Sequence, residues 1–393
     1  MSRLCPNILQ VLPALGTGGI EQGTVEMAEA IIAAGGRAFV AGATGSLVPK
    51  LLSLGARHID LPLGQKSPFA IRRNAKSLIQ LIRNERIDLV HARSRAPAWA
   101  AWHATRRTGT PFITTWHGVH KAGFPGKKRY NSVLARGARV IAISEYIATR
   151  LRDEYAVGTD RLRLIPRGAD MTRFDPAQLL GPRMQTLAEQ WQVNPGEPIV
   201  MLPGRLTRWK GQLLLIKAMV HLQALMPGPW VCVLVGPADP KDRYVQEIEE
   251  TARRLGLQDR LRFAGLCQDM PAAYALADVV AVPSLRPEPF GRVVIEAQAM
   301  GRPVVVSAQG GAMETVIPYR TGLLIPPDDA NALADALCQL LTLSEGARDL
   351  LAETARHHIA ETYTTRQMQT ATLAVYDELL GGCLSDRFLE TCT

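Results

Sequence analysis

The sequence predicts an α/β protein made of two doubly wound domains, and three observations lead to this prediction. Short runs of apolar and β-branched residues alternate with longer stretches of helical periodicity. The alternation stops once, in a proline-rich stretch, and then starts again. The strand candidates are apolar throughout, which is typical of a parallel sheet that helices cover on both faces.

The first domain is predicted to span residues 1–175. Helical patterns such as 23–34 and 71–84 separate its strands. In chain order, its strand candidates are 7–12, 37–41, 58–61, 89–92, 112–116, 140–144 and 163–165. This succession is typical of a doubly wound sheet, which binds its ligands beyond the carboxyl ends of the strands.

The second domain is predicted at residues 199–360, and its strand candidates are 199–202, 231–235, 261–264, 279–282, 304–307 and 323–325. Residues 176–198 contain prolines but no strand pattern, so we predict an interdomain segment there. The tail, about 364–380, has helical character, and we expect it to pack back on the first domain. We expect the two domains to face each other across a cleft, with site residues in the loops that follow strands.

Charge is divided unevenly along the chain. Residues 1–180 carry 26 lysines and arginines against 12 acids, a net charge of +14, whereas the remainder has a net charge of −5. A basic front half favours an anionic partner such as phospholipid or a phosphorylated molecule, and a solvated basic surface is the alternative.

The six cysteines form no C-x-x-C pair and have no metal-ligand spacing, which indicates reduced thiols and a cytosolic location. No run of about 18 apolar residues occurs, so we expect no membrane span. The apolar run near the amino terminus is short and broken by Pro13, which favours a buried strand over a secretion signal.

A glycine-rich turn follows the first strand. Gly16, Gly18 and Gly19 precede a helix there, and glycines let backbone N–H groups approach a phosphate at a helix amino terminus. The spacing is not G-x-G-x-x-G, so the dinucleotide fingerprint is not met. A purely structural turn is the alternative.

Two cations, Arg205 and Lys210, lie in the loop after the first strand of the second domain. A forked guanidinium and an ammonium at a strand's carboxyl end suit a diphosphate. Two solvated loop cations are the alternative.

Two glutamates give the strongest signal. Glu288 and Glu296 flank the start of an apolar helix in the stretch 287–296, PEPFGRVVIE. A carboxylate accepts hydrogen bonds from vicinal hydroxyls, as on ribose or a sugar ring, and the helix amino terminus can hold phosphate. For Glu296, the alternative is an acid that complements the helix dipole.

His117 follows a strand of the first domain and is a further site candidate, although a lone histidine is more often structural. No D-x-D cluster occurs, which argues against a divalent metal holding a diphosphate. The basic loop and the helix terminus are expected to hold the phosphates instead.

At these residues the chain resembles glycosyltransferase family 4, a group of retaining enzymes with the GT-B fold of two Rossmann-like domains. The resemblance covers nearly the whole chain. It runs through Gly18-Gly19, His117-Gly118, Ile143-Ser144-Glu145, Gly204-Arg205 with Lys210-Gly211, Phe263-x-Gly265, Pro283-Ser284, Glu288 through Glu296, Gly310-Gly311 and Gly322-Leu323. Residues 91–99 and 165–168 look like a lipopolysaccharide-core (WavL-like) branch. Where the family often has Gly-Gly-x-Pro-Glu, this chain has Gly310-Gly311-Ala312-Met313-Glu314.

The resemblance implies a nucleotide-sugar donor as substrate, no metal or other cofactor, and a role for each site residue. Arg205 and Lys210 neutralise the departing diphosphate, Glu288 binds hydroxyls of the transferred sugar, and Glu296 binds the ribose. His117 contacts the sugar from the other domain. Further donor contacts are implied for Gly18, Gly19, Gly265, Leu266, Phe290, Gly291 and Arg292.

The chain offers no obvious covalent nucleophile, because both glutamates are committed to hydroxyl recognition. We therefore favour front-face transfer, in which the leaving phosphate takes the proton of the acceptor hydroxyl. This mechanism is an inference from the family.

The acceptor, a glycan or glycolipid, is expected on the basic first domain. One cluster of cations contains Lys66, Arg72, Arg73 and Lys76, and a second contains Lys121, Lys127, Lys128 and Arg129. Both suit a phosphorylated glycolipid or the anionic inner face of the cytoplasmic membrane, to which the enzyme would bind peripherally. For the second cluster, a mobile solvated loop is the alternative.

Two other classes of function stay open. A nucleotide-sugar epimerase of the same fold would convert the donor without an acceptor. A non-catalytic module for anionic lipid or polysaccharide would neither transfer nor hydrolyse any donor. No nucleic-acid partner is expected, because the cations lack a nucleic-acid-binding motif.

Overall fold

The computed structural model describes residues 5–120, 123, 125–179 and 181–391. The chain divides into two compact units. Unit 1 comprises Met1–Arg167 and Thr365–Thr393, and unit 2 comprises Gly168–Thr364. Within the described residues, no helix is both long enough and apolar enough to span a membrane.

Unit 1 is built on a seven-stranded sheet in the order β3-β2-β1-β4-β5-β6-β7, and every strand pair is parallel. The strands are β1 (Asn7–Ala14), β2 (Arg37–Ala43), β3 (Arg57–Asp60), β4 (Leu89–Ala92), β5 (Phe112–Trp116), β6 (Arg139–Ala142) and β7 (Leu162–Leu164). The helices between them are α1 (Gly19–Ala33), α2 (Val48–Ser53), α3 (Pro68–Asn84), α4 (Arg95–Thr108), α5 (Pro125–Asn131) and α6 (Glu145–Tyr155).

The sequence contains the signals that start these helices. Ser67 accepts a hydrogen bond from the backbone N–H of Ala70 and caps α3, and Pro68 occupies its first position. Ser144 caps α6 in the same way. A serine oxygen satisfies one of the N–H groups that a helix start leaves unpaired, and proline lacks that group.

Unit 2 is built on a six-stranded parallel sheet in the order β10-β9-β8-β11-β12-β13. Its strands are β8 (Ile199–Pro203), β9 (Val231–Val235), β10 (Leu261–Gly265), β11 (Val279–Val282), β12 (Val304–Ser307) and β13 (Gly322–Ile325). Its helices are α7 (Gly181–Gln190), α8 (Gln212–Leu225), α9 (Arg243–Arg254), α10 (Met270–Leu276), α11 (Arg292–Ala299), α12 (Ala330–Leu341) and α13 (Glu345–Thr362). In both sheets, the loops that contain the predicted site residues follow the carboxyl ends of the strands.

The stretch 176–198 differs from the prediction. It was expected to be an interdomain segment, with the first domain reaching residue 175, but unit 2 already begins at Gly168. Helix α7 packs into unit 2 through the buried Leu187, and Arg183 forms two hydrogen bonds to Asp269 at 2.9 and 2.7 Å. The prolines of this stretch suggested a domain boundary, but proline is tolerated in the first turn of a helix and therefore does not exclude one here.

The carboxyl-terminal helices α14 (Thr365–Leu380) and α15 (Leu384–Glu390) belong to unit 1. Tyr376 of α14 is fully buried, and its hydroxyl lies 2.8 Å from Nδ1 of His91, at the second position from the carboxyl end of β4. Glu378 contacts Arg139 of β6 at 2.5 Å and Arg163 of β7 at 2.7 Å. Polar groups on three strands therefore fix the position of α14.

Replacing Glu378 with glutamine is expected to lower the free energy of unfolding by about 1 kcal/mol at neutral pH, a value reduced for solvent screening. The hydrogen bond from Arg163 is the largest cause that lowers the pKa of Glu378, which is about 2 instead of 4.5. The stabilisation is therefore complete above pH 4.5 and is lost as the pH falls towards 2. Urea unfolding as a function of pH measures it.

The matched control for this change is Glu29→Gln, on an exposed position of α1 in the same unit. The Glu29 variant should keep the acid dependence of the wild type. An equal loss of stability in both variants would show that net charge, not the contact with the two arginines, is responsible.

Candidate functional site

An ion pair joins two of the predicted site residues in unit 2. Nζ of Lys210 lies 2.7 Å from Oε1 of Glu288. Both side chains are largely withdrawn from water, with exposed fractions of 15% for Lys210 and 7% for Glu288. The hydroxyl of Ser284 donates a further hydrogen bond, 2.6 Å long, to the same oxygen. The basic loop after β8 and the acidic loop after β11 are therefore in direct contact.

Lys210 reaches Glu288 because its loop turns sharply. Residues 208–210 form one turn of 3-10 helix between β8 and α8, and Gly211 follows with φ of +82°. A Cβ at Gly211 would lie 2.0 Å from the carbonyl oxygen of Pro283, so only glycine allows this approach. The backbone N–H of Leu285 also donates to the carbonyl of Trp209. The loops after β8 and β11 are thus held together.

A third loop holds the backbone of Glu288. Glu288 forms an isolated parallel bridge with Gly310, and the N–H of Gly311 donates to the carbonyl of Glu288 at 2.8 Å. Gly310 has φ of +70°, and a Cβ there would lie 2.4 Å from the same carbonyl oxygen. Both glycines named by the resemblance therefore position Glu288, and the departure at Ala312-Met313 leaves this contact intact.

Glu296 lies in α11, one turn beyond the first residue of the helix. The hydroxyl of Tyr274 donates to Oε2 of Glu296 at 3.1 Å, and Nε of Arg292 approaches Oε1 at 3.3 Å. Burial raises the pKa of Tyr274 well above 10, and the negative charge of Glu296 raises it further. The hydroxyl therefore stays protonated and donates to the carboxylate.

The other predicted donor residues of unit 2 lie in loops at the same carboxyl ends. Arg205 is exposed and forms no ion pair with a described residue, and its carbonyl accepts a hydrogen bond from Gln212 at 3.2 Å. Phe290 is buried against Tyr363, and Gly291 is the residue before α11. At the end of β10, Gly265 precedes Leu266, whose side chain is 60% exposed.

The predicted residues of unit 1 are placed as follows. Gly18 immediately precedes α1 and Gly19 is its first residue. His117 follows β5, is half-buried, and its Nε2 has no hydrogen-bond partner among the described residues. Burial lowers the pKa of His117 well below 6.5, and the nearby Arg167 and Arg93 lower it further. The imidazole is therefore neutral at neutral pH and can exchange hydrogen bonds with hydroxyls.

Most of the predicted acceptor cations lie on two helices of unit 1, and Lys66 is exposed two residues before the first of these helices. Arg72 and Arg73 are exposed on α3, and Lys127, Lys128 and Arg129 lie on α5. Lys121 lies outside the described residues. Residues 125–131, expected within a loop, are helical.

The sequence did not assign a role to Ser284 or Tyr274. Ser284 belongs to the Pro283-Ser284 motif of the resemblance, but nothing in the sequence predicts its hydrogen bond to Glu288. Tyr274 is completely buried with a hydroxyl that needs a partner, and only the fold shows that Glu296 is that partner. No group of three or more His, Cys, Asp and Glu side chains in the described part of the chain is placed to hold a metal ion.

Two domains that are each built on a parallel sheet, with a basic loop in contact with an acidic one in the second, are the features of a GT-B glycosyltransferase. Residues 17–173 match the family described as Glycosyltransferase Family 4, and residues 184–358 match Glycosyl transferases group 1. The chain belongs to glycosyltransferase family 4. The predicted fold class and the predicted enzyme class are confirmed.

Two solved structures resemble the chain over nearly its whole length. A glycosyltransferase from Rickettsia africae is 34% identical with a TM-score of 0.88, covering 96% of this chain and 99% of that one. Anabaena HepE, solved in complex with UDP-glucose, is 25% identical with a TM-score of 0.81, covering 95% of this chain and 99% of that one.

Curated relatives of the chain include proteins named D-inositol 3-phosphate glycosyltransferase. The protein from Salinispora tropica is 33% identical over 74% of this chain, and that from Salinispora arenicola is 32% identical over 74%. The matched part spans 64% of the first relative's length and 68% of the second's.

Tyr274→Phe is expected to raise the KM for the donor about fivefold with little change in kcat. The change removes one hydrogen bond to Glu296, worth about 1 kcal/mol, without altering the packing of the ring. Tyr376→Phe in unit 1 removes an equally buried hydroxyl and serves as the matched control, with an unchanged donor KM. Equal donor KM values for the wild type and Tyr274→Phe would contradict a positioning role.

Proposed function

We propose that the protein is a retaining, metal-independent glycosyltransferase that moves a sugar from a nucleoside-diphosphate sugar to a glycan or glycolipid. The observation that carries this proposal is the contact between Lys210 and Glu288. It places a cation suited to a diphosphate beside a carboxylate suited to sugar hydroxyls, at the carboxyl ends of the strands of unit 2.

Each group has a proposed role towards the donor. Lys210 and Arg205 neutralise the diphosphate, and this stabilisation grows as negative charge develops on the leaving oxygen. Glu288 accepts hydrogen bonds from hydroxyls of the transferred sugar, and Glu296 accepts them from the ribose. A donor of this class is supported by the UDP-glucose complex of HepE.

The proposed step is front-face substitution at the anomeric carbon. The bond from that carbon to the diphosphate oxygen breaks, and its electron pair stays on the diphosphate. The acceptor oxygen forms the new bond from the same face, and its proton passes to the leaving phosphate oxygen. The neutral His117 is proposed to hold a sugar hydroxyl in this step, since an uncharged imidazole adds no proton to it.

Arg205→Ala, Lys210→Ala and Glu288→Ala are each expected to lower turnover by a factor of about 100 or more, the usual cost of a lost group that stabilises developing charge. Arg208→Ala is the matched control, because Arg208 lies in the same loop but pairs with Glu247. Transfer rates at saturating donor measure the effect, with circular dichroism to confirm the fold. Near-normal rates in all three variants would refute the assignment.

For the acceptor, we propose an envelope glycan or glycolipid such as the lipopolysaccharide core, on the basis of the cationic unit 1 and the resemblance of residues 91–99 and 165–168. A specific observation favours a second candidate, inositol phosphate, because the curated relatives are named as D-inositol 3-phosphate glycosyltransferases. Both acceptors are anionic, so the charge of unit 1 does not distinguish them.

Two measurements separate these possibilities. A thermal-shift panel of UDP-, GDP- and ADP-sugars identifies the donor, because a ligand of the native state raises its apparent stability. Transfer from that donor is then measured to lipopolysaccharide core oligosaccharide and to D-inositol 3-phosphate. Preferential transfer to inositol phosphate would replace the first candidate with the second, and release of an epimer without acceptor would favour an epimerase.

A further inference from the structure

Two helices of unit 1 that pack side by side, α3 and α4, contain no aspartate or glutamate. Six of their cations are exposed, and none of the six forms an ion pair with a described residue. They are Arg72, Arg73, Lys76, Arg83, Arg106 and Arg107. We call the exposed face of these two helices, together with Arg136 and Phe69, the α3–α4 surface.

Aromatic residues are interleaved with these cations. The guanidinium carbon of Arg136 lies 5.1 Å from the ring centre of Trp99 and 4.5 Å from that of Trp102. Arg106 lies 4.9 Å from the same Trp102 ring. Both tryptophans are half-buried, and stacked cations cover them. Phe69, in contrast, is 82% exposed in the first turn of α3.

Cations of both helices lie close enough to act on the same histidine of α4. Burial lowers the pKa of His103 on α4, and the charges of Arg107, Arg106, Arg136 and Arg72 lower it further. Arg72 belongs to α3 and Arg136 to the turn before β6, so three segments of the chain contribute charge to the same place. No acid of the described chain pairs with these four arginines.

We propose that the α3–α4 surface binds to an anionic phospholipid bilayer. Unpaired cations gain from the negative potential of such a membrane, by about fivefold in affinity for each cation near the surface. The exposed ring of Phe69 adds an apolar group that can enter the interface. Nucleic acid fits less well, because its bases stack on open aromatic faces and the tryptophan faces here are covered by arginine.

The test is sedimentation of the full chain with vesicles of phosphatidylcholine, alone or with about one third phosphatidylglycerol. We expect binding to the anionic vesicles only, and its loss at about 1 M salt, where charges are screened beyond a few ångströms. Replacing Arg72, Arg73 and Lys76 together by glutamine should weaken binding about a hundredfold. Phe69→Ala should weaken it by a smaller factor.

The matched control replaces Arg243, Arg253 and Arg254 of α9 in unit 2 by glutamine, which removes the same charge from another exposed helix. It should bind the vesicles as the wild type does. An equal loss in this control would mean that net charge alone is responsible, and it would overturn the proposal. An unchanged affinity of the α3 variant, once its melting temperature shows that it is folded, would overturn it too.

Two further outcomes would contradict the assignment of membrane binding to the α3–α4 surface. If glutamine at Lys127, Lys128 and Arg129 abolishes binding while the α3 variant binds normally, the membrane contacts α5. If short single-stranded DNA binds as tightly as the vesicles and displaces them, the surface is a nucleic-acid site. Because vesicle binding is measured without a sugar donor, its result is independent of the reaction proposed above.

Discussion

The contact between Lys210 and Glu288 is the constraint around which the carboxyl edge of unit 2 is arranged. Burying two opposite charges costs desolvation free energy that their mutual attraction scarcely offsets. Apolar residues at these positions would therefore stabilise the fold at least as well as the ion pair does. Three loops nevertheless meet to hold the pair, and two of them need glycine at Gly211 and Gly310 to approach closely enough. The desolvation cost of burying this ion pair is consistent with a role of Lys210 and Glu288 in binding a ligand.

The hydrogen bonds around the two glutamates differ in a way that fits different tasks. Both contacts to Glu288, from Lys210 and Ser284, fall on Oε1, and no described residue donates to Oε2. One oxygen thus anchors the carboxylate while the other can accept from hydroxyls. Glu296 has one protein contact on each oxygen, from Tyr274 and Arg292. Each oxygen can accept more than one hydrogen bond, so both remain able to bind vicinal hydroxyls.

The strands were predictable to within one or two residues, because a strand covered on both faces must be apolar throughout. The run at 231–235 is an example, since it coincides with β9. The proximity of Lys210 and Glu288 was also predictable, since loops at the carboxyl ends of adjacent parallel strands lie at one edge. Two features could not be predicted from the sequence and are seen only in the folded structure. Helix α7 has few apolar residues and depends on tertiary contacts such as that of Arg183 with Asp269. The hydrogen bond from Tyr274 to Glu296 joins two helices through residues that are 22 positions apart in the sequence.

The positive charge of unit 1 is concentrated on one face partly because some of its acids pair with arginines that lie outside α3 and α4. Glu26 pairs with Arg167, and Glu378 holds Arg139 and Arg163. Helices α3 and α4 have no acid of their own to offset their cations. A charge spread evenly would mainly keep the protein soluble, whereas a charge gathered on one face creates a potential that is felt within about 8–10 Å at physiological salt. Such a local field acts only on a partner that comes into contact, and the proposed binding of the α3–α4 surface to an anionic membrane relies on this local field.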